Sequence, residues 1–217
     1  MRLFHYLSAT HALSSLRDQR LKIARISELN DPFEMLCADM RDTKARRALR
    51  EVKDRISAKC GYLCFSRDWT NLLMWSHYAD KHRGAVLEVE IAEDSAMPVD
   101  YQKSRVQWDA RKIMASGGFT GKHVDVLATT KSMHWEYEKE VRVAAALEED
   151  TRDDAGRYFC SVDIKGIVLG EFSDLSLEQI RNTLRPGHRI TVTRARLAFK
   201  TFSIVRRKDK PLISITG

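Results

Sequence analysis

Three segments of this chain carry polar side chains that packing alone does not explain. The first is Phe4-His5-Tyr6, an imidazole inside a short apolar stretch. The second is Cys64-Phe65-Ser66, followed by a stretch holding Trp75, Ser76, His77 and Tyr78. The third runs from Trp135 to Arg142 (WEYEKEVR). Read as a strand, it puts Glu136, Glu138, Glu140 and Arg142 on one face, because strand side chains alternate with period two. Three carboxylates on one face repel one another unless cations or solvent balance them, and Arg142 is placed to pair with one. Crowding and partial burial would raise one carboxyl pKa while hydrogen bonding fixes another group, as in acid/base and charge-stabilising sites. Each segment also has a plainer reading. A lone histidine is commonly a satisfied core or surface residue. Leu72/Trp75 and Met74/Tyr78 lie one helical turn apart, as simple core would. The third segment is equally a solvated strand face.

The elements that would position these groups follow from pattern. Leu3–Tyr6 reads as an opening strand, with Ser8 or Thr10 capping a helix over 10–20. Leu21–Ile26 looks extended. Leu29–Glu34 (LNDPFE) must leave helix geometry, since the residue before a proline is pushed toward extended angles. There Asp31 either caps a turn or sits at the mouth of a site. Asp42–Lys59 is a charged amphipathic helix, and Gly61–Ser66 is a strand stopping at Ser66. Asp68 or Thr70 is expected to cap a helix through Asn71–Lys81, with Gly84 as its C-terminal glycine. Gly84–Ile91 alternates like a strand with one buried face, and Val99–Tyr101 is a short strand. The segment 107–129 reads as helix with a break at Ser116-Gly117-Gly118. Glu140–Ala146 and Gly166–Leu169 are strands, Ser176–Leu184 is a helix, and Arg189–Arg194 with Phe199–Arg206 form a terminal strand pair. The expectation is one α+β domain over 1–217 with a mixed, largely antiparallel sheet.

Length and composition agree. A chain of 217 residues, 43% hydrophobic and 31% charged, fits one compact domain with a real core. No apolar run approaches the roughly 18 residues that a spanning helix needs. The N-terminus shows no secretory pattern. The expected setting is therefore the cytoplasm, with no membrane partner. Cys60-Gly-Tyr-Leu-Cys64 has one residue too many for a CxxC unit and no second pair exists, so the four cysteines read as buried free thiols and no metal site is assigned. No GxSxG, P-loop or dinucleotide fingerprint occurs, which argues against serine hydrolysis, ATP hydrolysis and hydride transfer. The net charge of +7 favours polyanionic partners; Arg41–Arg50 and Arg206–Lys210 carry much of it.

The motifs LNDPFE (29–34), CFS (64–66), LMWSHYA (73–79), His82-Arg83-Gly84 and Trp135-x-Tyr137-Glu138-x-Glu140-x-Arg142, in this order over almost the whole chain, resemble an uncharacterised bacterial domain family found in places near phage-defence genes. A second resemblance is to the ADP-ribosyltransferase superfamily: a histidine in the opening strand, a strand-then-helix with Ser66 and Tyr78, and a glutamate at the start of a later strand. That likeness implies an ADP-ribosyltransferase-like fold with NAD as the consumed cosubstrate. It gives His5 a ribose hydroxyl, Tyr78 the nicotinamide ring and Glu140 the 2′-hydroxyl of the nicotinamide ribose. Glu138, two residues earlier, matches the Glu-x-Glu pattern in which the first carboxylate orients the acceptor. Glu140, Glu138 and His5 are thus the expected catalytic groups, and His5, Tyr6, Ser66, Tyr78, Asn30 and Asp31 the expected NAD contacts. The implied partners are NAD, a protein or nucleic-acid acceptor and, for a phage-defence toxin, a neutralising protein.

Two other classes stay open. Asp31, Glu34, Glu138 and Glu140 with the positive charge suit a nucleic-acid binder or a Mg²⁺-dependent nuclease. A non-catalytic sensor or partner module would keep the fold and lose turnover.

Overall fold

A computed structural model describes residues 1–39, 41–209 and 212–217. Its main sheet has ten strands. From one edge the order is Ile204–Arg206, Arg189–Leu197, Asp163–Leu169, Ala85–Glu90, Arg2–Leu7, Cys60–Ser66, Glu140–Ala146 and Met97–Pro98, with Ile213–Thr216 and Ala24–Arg25 pairing off this path. Every neighbouring pair in it is antiparallel except Asp163–Leu169 with Arg189–Leu197. Two small two-stranded sheets join Arg20–Lys22 to Phe159–Ser161 and Asp100–Gln102 to Thr130–Ser132. The architecture is the expected single α+β domain with a mostly antiparallel sheet.

The opening strand sits in the middle because both its faces are apolar. On one face Leu3 joins Leu16, Leu63, Leu87, Leu169 and Ile180 under the helices Ala9–Asp18 and Leu177–Thr183. On the other, Tyr6 joins Trp75, Val86, Val168, Ala195 and Ile204 under the helix Leu72–Tyr78. Burial of this kind contributes about 1.5–3 kcal/mol per large side chain.

Several local expectations need correction. The helix Leu72–Tyr78 is capped by Asn71, whose side chain accepts from the Leu73 and Met74 amides at 2.9 and 3.2 Å. Asp68 instead closes a turn onto Thr70. The helix stops at Tyr78, short of Lys81, because Asp80, Lys81 and His82 adopt φ of 46°, 51° and 68°, the left-handed region that ends a helix. Gly84 is required for a different reason than a left-handed cap: a Cβ there would lie 2.1 Å from the Leu7 carbonyl oxygen. The helical segment over 107–129 is two helices, Ala110–Ala115 and Gly121–Thr129, separated at Gly117 and Gly118, whose φ values are 95° and 103°. At the C-terminus the strand expected over Phe199–Arg206 begins only at Ile204. Ile213–Thr216, a strand that was not expected, completes the edge. Of the basic segment Arg206–Lys210, Lys210 lies outside the described residues. Among the described residues no helix is long and apolar enough to cross a membrane.

Candidate active site

The sheet opens between two of its central strands. Arg2–Leu7 makes a six-pair register with Ala85–Glu90, but a single registered pair, Phe4 with Ser66, with Cys60–Ser66. In the gap, His5 Nδ1 lies 2.8 Å from the Cys64 carbonyl oxygen. A carbonyl only accepts, so Nδ1 carries the proton and donates. Burial lowers the His5 pKa, against the smaller opposing effect of that hydrogen bond, and the ring is neutral. Its Nε2 is then a lone-pair acceptor with no protein partner among the described residues. Where further ladder hydrogen bonds between these two strands would lie there is an imidazole bond instead, and beside it is a cleft of about 190 Å³.

That cleft brings together His5, Tyr6, Asn30, Ser66, Tyr78, Glu138 and Glu140. Seven residues from five separate stretches of the sequence thus line one cleft. The eighth, Asp31, does not join them. It lines a neighbouring hollow with Phe33 and Arg105, and its carboxylate accepts the Phe33 amide at 2.8 Å, so it caps the turn that Pro32 forces.

The third segment is not a continuous strand. Met133–Glu138 is a 3₁₀ turn, Lys139 is left-handed at φ 45°, and the strand begins at Glu140. The run of charges on one face is therefore broken: Glu136 points to solvent, while Glu138 and Glu140 are both buried. They converge on a cation that sequence reasoning missed, Lys131. Its Nζ lies 2.8 Å from Glu138 Oε2 and 2.7 Å from Glu140 Oε2. Arg142 does pair with Glu140, Nε to Oε1 at 2.9 Å, and its other edge forms a two-pronged contact with Glu34. Arg142 also donates to the Ala128 carbonyl oxygen at 2.7 Å, so every guanidinium nitrogen is engaged. Burial opposes ionisation of Glu140, but Arg142 and Lys131 outweigh it and hold its carboxyl below the ordinary value.

Glu138 is held differently. Tyr78 donates its hydroxyl to Glu138 Oε1 at 2.5 Å and in turn accepts from the Asn30 amide nitrogen. Burial, then the Glu138 charge, push the Tyr78 phenol well above its usual range, so it stays a donor. Ser66 donates to the Glu138 carbonyl oxygen at 2.6 Å and accepts the Asp68 amide at 3.1 Å. Ser66 thus spends its one donor and one of its two lone pairs in fixing the turn, and offers a ligand in the cleft an acceptor only. Tyr6 likewise sends its hydroxyl away, to the Asp68 carbonyl at 2.7 Å, and offers only its ring to the cleft.

Glu34, Glu138 and Glu140 face Lys131 and Arg142, three formal negative charges against two positive. In a poorly solvated site such an excess favours a ligand carrying or developing positive charge. This imbalance was the signal for Lys131: three buried carboxylates with one arginine leave a deficit that a second cation must reduce. Cys64 lines the same cleft, but burial, reinforced by Glu140, raises its thiol pKa well above the usual value and leaves it inert. All four cysteines are free, and only Cys37 is fully buried. Among the described residues no group of three or more His, Cys, Asp or Glu side chains is placed to hold a metal. The carboxylates that a Mg²⁺ site would use are engaged by Arg142 and Lys131, except Asp31, which faces away. No protein-family model matches this chain, and neither a curated protein nor a solved structure matches it.

Proposed function

We propose that the cleft cleaves the N-glycosidic bond of NAD and transfers the ADP-ribosyl group, on an ADP-ribosyltransferase-like fold. The observation that carries this reading is the Glu138 carboxylate, fixed between Tyr78 and Lys131 at the wall of a net-negative cleft that also holds the His5 lone pair. Departure of nicotinamide leaves an oxocarbenium-like sugar, and a preorganised carboxylate stabilises that developing charge without reorganisation. Each carboxylate oxygen accepts about two hydrogen bonds. Glu138 has one partner on each oxygen and so two open positions for a ribose hydroxyl, whereas Glu140 already takes two contacts from Arg142 and one from Lys131 and keeps one open position. We therefore give the sugar contact to Glu138 and to Glu140 the task of holding Lys131 and Arg142 in place. His5 Nε2 accepts a second ribose hydroxyl, and the Tyr78 ring forms the wall for the nicotinamide.

At about 190 Å³ the cleft is smaller than the roughly 300–1,000 Å³ of a typical ligand pocket. Its one lining cation, Lys131, is already paired. Only the nicotinamide riboside end of NAD is placed inside; the pyrophosphate and adenosine lie across the open surface. The acceptor, protein or nucleic acid, would approach from the same opening.

One observation favours a second reading. The closed pairing of Glu140 with Arg142 and Lys131 is also what a binding module needs to hold its walls rigid. Incubation of the full chain with NAD and cell lysate, reading nicotinamide release and label transfer, separates the two. Release that vanishes in Glu138→Gln supports the enzyme. Saturable NAD binding without release supports the module, and neither binding nor release removes NAD from the account.

A further inference from the structure

Between Arg189 and Lys208 the sequence carries seven Lys and Arg and no Asp or Glu. The whole chain has 37 Lys and Arg against 30 Asp and Glu, so the remainder holds 30 of each. The charge of the stretch 189–208 therefore equals the entire formal excess of +7, spread over two strands, the turn between them and the two residues that follow. In the structure this stretch is an edge hairpin: Arg189–Leu197 pairs with Ile204–Arg206, and the turn is closed by the Ala198 amide on the Ser203 carbonyl at 2.9 Å.

The tip of that hairpin is apolar. Phe199 is 90% exposed and Phe202 97% exposed, where a turn between two strands usually carries Gly, Asn, Asp or Ser. The Arg196 guanidinium lies 4.2 Å over the Phe199 ring. Three further exposed apolar side chains, Leu197, Phe172 and Leu73, belong to the same corner of the molecule. Phe172 is brought there by the Arg207–Glu171 ion pair at 2.9 Å, and the start of the Leu73 helix by the Ile204 amide on the Thr70 carbonyl at 3.0 Å. Single exposed apolar residues are ordinary; a group of them ringed by cations marks an interaction surface.

We propose that this hairpin docks on an anionic membrane surface, with Phe199 and Phe202 entering the boundary between headgroups and acyl chains. The cations immediately behind the tip would then meet lipid phosphates and carboxylates. A convex, apolar tip with a basic collar fits that occupant. A single strand of nucleic acid fits less well: Phe199 and Phe202 offer rings to stack on, but Arg196–Lys208 holds no Asn or Gln to read base edges, and the exposed Leu197, Leu73 and Phe172 around the tip gain nothing from phosphates. Surface docking of this kind needs no spanning helix. It departs from the expectation of no membrane partner, which considered spanning and leader segments and not surface docking, and it is independent of the reaction in the cleft.

The test is co-sedimentation of the full chain with vesicles of phosphatidylcholine alone and of equal parts phosphatidylcholine and phosphatidylserine. Binding to the mixed vesicles should exceed binding to the neutral ones by about tenfold or more and weaken with added salt. The double variant Phe199→Ser/Phe202→Ser should lose about tenfold with its melting temperature unchanged, and Lys200→Glu should weaken binding in the same direction. Nicotinamide release from free NAD should not change in either. No preference for the anionic vesicles, or undiminished binding of the double variant, overturns the proposal. Tighter binding of a mixed-sequence single-stranded oligonucleotide than of the vesicles also overturns it and gives the hairpin to nucleic acid.

Discussion

Glu34 and Arg142 lie 108 positions apart in the sequence and meet as a two-pronged carboxylate–guanidinium pair with both side chains essentially inaccessible to water. The pair fastens the Leu29–Glu34 turn to the strand that carries Glu140. Through it, Asn30 is brought to the Tyr78 hydroxyl. The turn that Pro32 forces is thus one wall of the cleft, held by this charge pair together with the apolar packing of Leu29 and Met35 on either side of it.

Removing Arg142 should unfold the site from its centre. Arg142→Met leaves Glu34 buried without a charge partner and Glu140 with Lys131 alone, which costs about 3–5 kcal/mol. Arg142→Lys should recover little, since an ammonium cannot span two carboxylates and the Ala128 carbonyl at once. Thermal and urea unfolding would measure both. A loss under about 1 kcal/mol for Arg142→Met would mean that the pair is not the clasp described.

Much of this arrangement was legible in the sequence, and the remainder was hidden for identifiable reasons. The gathering of His5, Tyr78, Glu138 and Glu140 followed from motif order. The pairing of Arg142 with a neighbouring carboxylate followed from two-residue spacing. The strand reading of Trp135–Glu138 failed because alternation of charged residues also occurs in a 3₁₀ turn, and a left-handed Lys139 cannot be read from a lysine. Asp31 and Glu34 stand three apart in one motif, yet one caps a turn and the other crosses the core; only tertiary contact separates those roles. Lys131 sits in Thr129-Thr130-Lys131-Ser132, a context that gives no local sign of burial.

Glu138→Gln keeps the shape of the side chain and removes its charge. If Glu138 stabilises the developing sugar cation, nicotinamide release should fall by about 10²–10³-fold, the usual effect of one preorganised electrostatic group. NAD binding should change much less, because the charge matters most in the transition state. Equal losses in binding and turnover would assign Glu138 to substrate holding alone.

Tyr78→Phe retains the ring and deletes the hydroxyl that fixes Glu138. The ring wall predicts a KM within a few-fold of the parent, while the freed carboxylate predicts a kcat lower by about tenfold or more. Tyr78→Ala should damage both. An unchanged kcat in Tyr78→Phe would show that the Tyr78–Glu138 contact is structural only.

Gly84 and Gly170 should tolerate no side chain. A Cβ on Gly84 meets the Leu7 carbonyl oxygen at 2.1 Å, and one on Gly170 meets the His82 carbonyl oxygen at 2.2 Å. Both obstacles are backbone, so relief requires moving strands rather than rotamers. Each Gly→Ala change should cost about 1–3 kcal/mol in denaturant unfolding, and a neutral outcome at either position would contradict the close packing of that sheet end.

Stability against acid should fall in two stages with different owners. Burial lowers the His5 pKa from 6.5, so the unfolded chain binds a proton there more readily than the folded one. Its contribution is complete above 6.5 and declines as pH drops from there through the lowered folded value. Glu140, held below its ordinary 4.5 by Arg142 and Lys131 despite burial, contributes fully above 4.5 and loses that contribution as pH falls through its own folded value. Melting temperature followed from neutral pH downward should therefore begin to fall near 6.5 and steepen below 4.5. His82, also lowered by burial, shares the first stage, so His5→Gln, whose amide can still donate to the Cys64 carbonyl, should shrink that stage and leave the second. The reverse pattern, or an unaltered first stage in His5→Gln, would remove the neutral imidazole from the cleft and with it the acceptor that a ribose hydroxyl needs.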